Sequence, residues 1–311
     1  MNQRWESLYS KNGIAAKYIA KELLSIDKGN RIPKVADFCA ELNLGRGTVQ
    51  GAIKLLEEDL GAITLESRGH LGTFLMNKDD VVLLDIADVG PLFGAMPLPY
   101  SKKYEGLATG IVEEFERNNC RVSLAYMRGA NNRLEALKTK RYDFAIVSRM
   151  AAEEGMNKHS GIEIIKSLGP ESYVTGHKVF FTDKNKSRIE SGMRVGIDRS
   201  SPDQSMCTLF ECEGLNVKLI ESNYMQLFQM LKEKQIDAAV WNMDELRSVE
   251  LFNSADFQSK KAKELKKATS EATIVVDSTN PEVVEQISEL DFTNVIEQQK
   301  KVEKGLRLPR Y

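Results

Sequence analysis

The sequence is poor in the residues that carry the commonest catalytic chemistry. Histidine occurs three times in 311 residues, as His70, His159 and His177, in separate segments. The four cysteines are Cys39, Cys120, Cys207 and Cys212. Cys207 and Cys212 are close, but no second Cys pair or His motif completes a zinc site, so free and mostly buried thiols are expected. No Gly-x-Ser-x-Gly elbow and no His-Glu-x-x-His pair occurs. Glu153-Glu154 is a carboxylate pair that reads as solvated surface. No apolar run reaches the ~18 residues of a membrane span. The start, Met1-Asn2-Gln3-Arg4-Trp5, has no apolar stretch of the kind a signal peptide needs. Positive charge is not in excess either: 43 Lys and Arg face 45 Asp and Glu, a net charge of -2. DNA binding then requires a local basic patch. The expectation is a cytoplasmic protein with no membrane contact, no catalytic set, no metal and no cofactor.

What is present begins with a compact helical pattern. Residues 12–24 form an apolar face through Ile14, Tyr18, Leu23 and Leu24. Gly29-Asn30 breaks the chain, and Pro33 sits where a first helical residue is tolerated. Val35, Phe38, Cys39 and Leu42 then follow at i, i+3, i+4, i+7. After the turn Asn43-Leu44-Gly45, a third helix points Val49, Ala52, Ile53, Leu56 and Leu60 inward. Two short helices joined by a tight turn with Gly form a helix-turn-helix. The second of them turns Arg46, Thr48, Gln50 and Lys54 outward, with Thr48 and Gln50 near the end that usually meets base edges. Gln50 is chemically suited to adenine, and Arg46 and Lys54 to phosphate. Ile63 and Leu65 next alternate inward, and a bend at residues 67–70 leads to Gly72-Thr73-Phe74-Leu75. A hairpin after a recognition helix is a wing. The residues expected to face a double-stranded DNA operator are Lys34, Arg46, Gly47, Thr48, Gln50, Lys54, Arg68, His70 and Thr73.

Ile32-Pro33, Ala40-Glu41, Arg46-Gly47-Thr48-Val49, Ala52-Ile53, Leu56-Glu57 and Gly72-Thr73-Phe74 together resemble the winged-helix domain of the GntR family of bacterial regulators. Gly45, Gln50, Gly51 and Leu71 depart from that family's usual residues. With the segment that follows, the chain is similar to the YhfZ group of regulators. The resemblance implies a transcription regulator, and with DNA geometry it implies a homodimer on a palindromic site.

Beyond residue 78 the pattern changes to short apolar runs alternating with helices, which implies parallel sheets covered by helices. Strands are expected over 81–86, 121–126, 143–148, 193–197, 217–220, 237–241 and 273–276, with extended chain at 162–168 and 173–182. Helices are expected over 104–118, 131–140, 202–212, 224–233, 260–267, 281–290 and 294–304. Tyr142-Asp143-Phe144-Ala145-Ile146-Val147 and Gln235-Ile236-Asp237-Ala238-Ala239-Val240 occupy equivalent places, each behind a helix. That pair looks like the two lobes of a type II periplasmic-binding-protein fold, which also serves as an effector domain in regulators. The expected fold class is α/β: a winged helix-turn-helix over 1–78, then a two-lobed domain over 79–311. Lobe 1 is expected over about 79–185 plus 278–311, and lobe 2 over about 186–277.

In two-lobed α/β folds a ligand sits at the carboxyl ends of strands, where loops meet helix N-termini. The loops in question carry Gly90 (beside Val89), Arg128, Gly129, Asn131, Ser148, Arg149, Arg199, Ser200, Ser201, Asn223 and Trp241. Several hold Arg, and several open a helix with Ser or Asn. Helix N-termini and guanidinium forks both favour anions, so a small anionic metabolite is expected as effector. Two other readings stay open: an enzyme using the same cleft, with Cys207 as nucleophile, and a regulator that senses a protein partner.

Overall fold

The computed structural model describes residues 10–87, 90–118, 120–245 and 252–311. Trp5 and Val89 lie outside the described residues. The chain divides into two compact units, Met1–Pro91 and Leu92–Tyr311.

The first unit holds helices α1 (Lys11–Leu24), α2 (Val35–Leu42) and α3 (Arg46–Lys54). A π-helical turn, Leu55–Asp59, extends α3. The hairpin β1 (Ile63–Ser67) and β2 (Thr73–Lys78) follows, antiparallel, with a register shift at Thr64/Leu65. Ser10 caps α1 by accepting from Gly13 N at 3.1 Å. Asn43 adopts the left-handed conformation that ends α2. The core joins Ala16, Ile19, Leu23, Phe38, Val49, Ala52, Leu56 and Leu75. The expected apolar stripe holds as far as Leu56. Leu60, expected inward, is 45% exposed. The wider π turn takes an extra residue per turn and rotates Leu60 off the stripe.

The segment expected as a strand at 81–86 is a helix, α4 (Asp80–Ile86). The Asp79 carboxylate caps it, accepting from Val81 N and Val82 N at 3.0 and 3.1 Å. Leu83 and Ala87 at i, i+4 bury in the first unit's core, with Val82 and Ile86 packed on it. A short run that is apolar except for Asp85 does not distinguish helix from strand by itself, and the cap decides it.

The second unit contains two five-stranded sheets. Its first sheet uses β3 (Leu92–Met96), β4 (Val122–Tyr126), β5 (Phe144–Ser148) and β6 (Ile162–Ser167). The second uses β7 (His177–Phe181), β8 (Arg194–Ile197), β9 (Lys218–Glu221), β10 (Ala238–Asn242) and β11 (Asn253–Ala255). β12 (Ala272–Asp277) returns to the first sheet. The strand orders are β4-β3-β5-β12-β6 and β11-β7-β10-β8-β9. Both read as second, first, third, crossing strand, fourth. In each lobe the crossing strand, β12 or β7, runs antiparallel to the third strand. The lobe crossovers therefore fall between β6 and β7 and between β11 and β12, ahead of the expected 185/186 and 277/278. An apolar strand at a crossover pairs with whichever sheet has a free edge, and its own sequence does not name that sheet.

Helices cover both faces of each sheet. α5 (Lys102–Arg117), α12 (Pro281–Glu289) and α13 (Thr293–Glu303) pack on Phe144 and Ile146 of β5. α6 (Ala130–Lys138) and α7 (Arg149–Lys158) pack on Ala145 and Val147. Alternate side chains of one buried strand thus feed two cores. The same holds for β10. Ala238 and Val240 face α8 (Pro202–Glu211) and α10 (Lys260–Glu264), and Ala239 and Trp241 face α9 (Leu227–Lys232). A short α11 (Lys266–Ser270) splits the single helix expected at 260–267. The repeated aspartates have repeated roles. Asp143 accepts from Phe93 N at 2.7 Å, and Asp237 accepts from Arg194 N at 2.7 Å. Each pins the start of its lobe's first strand.

Candidate functional site

The first unit presents an exposed polar row. Lys34, Arg46, Gly47, Gln50, Lys54, Arg68 and His70 are exposed, and Thr48 and Thr73 are half-buried. Gly45 stands at the N-cap of α3 without a side-chain bond, so the first N–H groups of that helix are left for water or a ligand. Arg46 has no ion pair with the described residues. Lys54 pairs with Glu58 at 3.3 Å, and Arg68 with Glu66 at 2.9 Å. Arg68 also lies over the Phe74 ring, 4.5 Å from its centre. The Glu66 carboxylate is lowered by its bond to Arg68. Arg31, which the sequence pattern does not single out, is exposed and bridges to Phe74 of the wing.

In the second unit the loops that follow the strands converge on a cavity of about 50 Å³. Tyr100, Tyr104, Arg128 and Arg133 come from lobe 1, and His177, Asp198, Asp203, Tyr224 and Asn242 from lobe 2. The lobes touch directly around it. Ser148 Oγ donates to Asp203 Oδ1 at 2.6 Å. Asn131 N and Nδ2 donate to the carbonyls of Ser200 and Arg199, each at 3.1 Å. Gly129, at φ +74, opens α6, and an added Cβ would stand 2.6 Å from Ser200 Oγ. Both the left-handed backbone and the close approach of the other lobe require glycine there.

Three buried ionisable residues, Arg133, Asp198 and Asp203, line the cavity. Arg133 is 2% exposed. Its guanidinium donates to the carbonyls of Ile146 (3.0 Å) and Met127 (2.6 Å) and to Tyr173 Oη (2.8 Å). It forms no ion pair with any described residue. Asp203 is 5% exposed. Burial pushes its carboxyl up to about 7, against the pull of Ser148 and of the Arg133 charge, with Glu154 adding to the rise. His177 is held neutral by burial, its ring pushed down to about 4. His177 Nδ1 and Asn242 Nδ2 are buried without a partner among the described residues. The walls are aromatic: Tyr104 meets Tyr100 and Tyr173 edge-on, with ring centres 5.3 Å apart in both pairs. Burial raises the hydroxyls of Tyr100, Tyr104, Tyr173 and Tyr224, so all four stay protonated.

The expected effector residues divide. Arg128, Gly129 and Ser201 line the cavity. Ser148, Asn131 and Ser200 tie the lobes together beside it. Arg149 is committed to Glu153 and Glu271, and exposed Arg199 to Glu221. Asn223 Oδ1 is buried and unpartnered, outside the lining. Trp241 is not at the site: it is fully buried, stacked on Tyr224 at 3.8 Å, and its Nε1 donates to Glu245. Strand alternation sends Trp241 into the core, and the strand's last residue, Asn242, reaches the cavity. Gly90 is also misplaced, because β3 begins at Leu92. Gly90 precedes the first strand, and the loop at its carboxyl end is Pro97-Leu98-Pro99-Tyr100.

The signal for Arg133 was present in the sequence. Ala130, Arg133, Leu134 and Leu137 fall at i, i+3, i+4, i+7 and are all buried. A charge in register with an apolar helix face is buried, and a buried charge needs a reason. Asp203 likewise shares the buried face of α8 with Cys207 and Glu211 at i+4 and i+8. His177 and the four tyrosines carry no spacing signal, because they come from separate segments.

The model of the YhfZ C-terminal domain matches residues 79–311. The chain belongs to the YhfZ family. A helix-turn-helix domain model matches residues 27–75. The chain is 34% identical to YhfZ of Escherichia coli over 233 residues, 75% of each chain. The crystal structure of YhfZ from Shigella flexneri is similar at a TM-score of 0.60 and 29% identity, over 73% of this chain and 96% of that one. An ancestral arginine-binding protein bound to arginine is similar at a TM-score of 0.50 and 17% identity, over 70% and 97% of the two chains. That likeness establishes the two-lobed binding-protein fold. This YhfZ-family chain therefore joins a helix-turn-helix unit to a binding-protein-like unit. Among the described residues no helix is long and apolar enough to cross a membrane.

Proposed function

We propose that this chain is a cytoplasmic transcription regulator. In this reading its GntR-like winged unit holds operator DNA and its two-lobed unit binds a small anionic metabolite that modulates that hold. The observation that carries the effector reading is Arg133, a guanidinium 2% exposed, lining a cavity, with no carboxylate paired to it among the described residues. A buried unpaired charge is costly and gains from an anionic partner. On the DNA side, exposed Arg46 and Gln50 on α3 support major-groove contact. A homodimer would place two such helices about one helical turn apart on a palindromic site. The ligand acts through unequal affinity for the DNA-competent and incompetent arrangements.

The enzyme reading needs a nucleophile at the cleft. Cys207 is fully buried in the core, and burial pushes its thiol up, so it does not supply one. A purely protein-sensing regulator has no use for the polar lining of the cavity. The experiment is genomic selection of bound DNA with the full chain, followed by operator titration with and without a panel of small molecules that carry a carboxylate or a phosphate, amino acids included. A shift in operator affinity caused by one of them supports the proposal. Sequence-specific binding that none of them alters removes the effector half, and absence of specific binding removes the DNA half.

A further inference from the structure

Arg133 and Asp203 line the same cavity from opposite lobes, and both are more than nine-tenths buried. Their charges act on each other, yet they form no ion pair among the described residues. Two opposite buried charges that close up on each other would repay part of their desolvation. These two instead stay apart across the space. Each is held back by other partners: Arg133 by Ile146, Met127 and Tyr173, and Asp203 by Ser148. Two further polar atoms of residues lining the cavity, His177 Nδ1 and Asn242 Nδ2, are buried and unpartnered.

The lobes are joined around the cavity by Ser148–Asp203 and by Asn131 with Ser200 and Arg199. A dianion is disfavoured there, because it would meet the carboxyls of Asp198 and Asp203 as well as Arg133. Asp198 is already satisfied by Ser200 N, Ser200 Oγ and Tyr224 N at 2.6–2.8 Å. That leaves Asp203 as the carboxyl available to a ligand.

We propose that the cleft takes a zwitterion, its carboxylate on Arg133 and its ammonium group on Asp203. The proposal rests on the effector reading and revises the ligand's chemistry: the anionic group that Arg133 holds is the carboxylate of an amino acid. Asn242 Nδ2 donates to the ligand carboxylate, and His177 Nδ1 accepts from the ammonium group. Because Arg133 and Asp203 belong to different lobes, a ligand held by both bridges the cleft.

The test is calorimetric titration and thermal shift of the full chain with glycine, L-alanine, β-alanine, propionate, lactate, ethylamine and inorganic phosphate as separate probes. Glycine or an alanine isomer is expected to bind, with propionate and ethylamine at least 100-fold weaker. Asp203→Asn keeps an acceptor for Ser148 and is expected to weaken the amino acid at least tenfold while leaving propionate unchanged. Propionate or lactate binding as tightly as alanine overturns the zwitterion and leaves the anionic reading standing. Phosphate binding most tightly does the same. Ethylamine binding alone overturns both. No binding by any probe overturns the proposal and leaves operator recognition to its own test. Arg133→Lys, checked for folding by its melting transition, is expected to lose the amino acid and propionate alike.

Discussion

Arg46 stands in solvent on a helix of nine residues, and every partner it needs for its proposed role lies on the DNA. Arg133 sits 2% exposed in a cleft assembled from loops of two lobes, tied to two carbonyls and a tyrosine. The first guanidinium costs the fold nothing, because water solvates it. The second is part of the packing. Recognition in the first unit is therefore separable from stability. In the second unit the two are the same interactions.

Substitutions sharpen or break that contrast, beginning with the largest effect. Asp203 has a folded pKa raised from 3.8 to about 7. Its contribution to stability is present below pH 4 and is lost as pH rises through 7. Asp203→Asn should then be more stable than the parent at pH 8 by up to about 4 kcal/mol, and equal to it near pH 4. His177 runs the other way, because its folded value is depressed from 6.5 to about 4. Its contribution is present above pH 6.5 and lost as pH falls through 4, by up to about 3 kcal/mol, and His177→Gln should remove that acid-side loss. Denaturant melts across pH 4–8 check both. A parallel pH profile for parent and Asp203→Asn would show that the cleft does not tax the fold.

The next effect is steric. A Cβ on Gly106 of α5 would stand 2.7 Å from the carbonyl oxygen of Gln299 on α13. Backbone cannot yield as a side chain does. Gly106→Ala should destabilise the second unit by about 3 kcal/mol in a urea melt. In the first unit, Arg46→Ala with Gln50→Ala should cost about 2–4 kcal/mol of operator binding with no change in the melting transition. Loss of stability in that pair would erase the distinction drawn between the units. Arg68→Ala should be the mildest. Arg68 must give up Glu66 to meet a phosphate, so the loss should be under about 1 kcal/mol, and the salt slope of binding should fall by about one.

The two units also differ in how far their sequences could be read. α2, the turn at Asn43 and the wing follow from apolar spacing and turn residues within about forty positions. The polar row on α3 is the complement of its buried row, so one reading yields both. The sheet lobes were legible as repeated strand–helix units, and Asp143 and Asp237 do mark equivalent strands. Two local ambiguities moved cleft residues. The run at 81–86 suits a helix as well as a strand, and that displaced the expected first loop to Gly90 from Pro97–Tyr100. The end of β10 was read one residue short, and that put Trp241 where Asn242 lies.

By itself the sequence determined the helix-turn-helix with its wing, the α/β alternation, and the face on which each helix buries its apolar residues. These depend on spacings of a few residues, which the backbone period fixes. Only the tertiary structure decided which strands cross between lobes and which polar groups meet in the cleft. It also decided that Arg133 and Asp203 face the same cavity without pairing. Those outcomes depend on contacts between segments tens of residues apart, and burial there follows from how the two lobes pack.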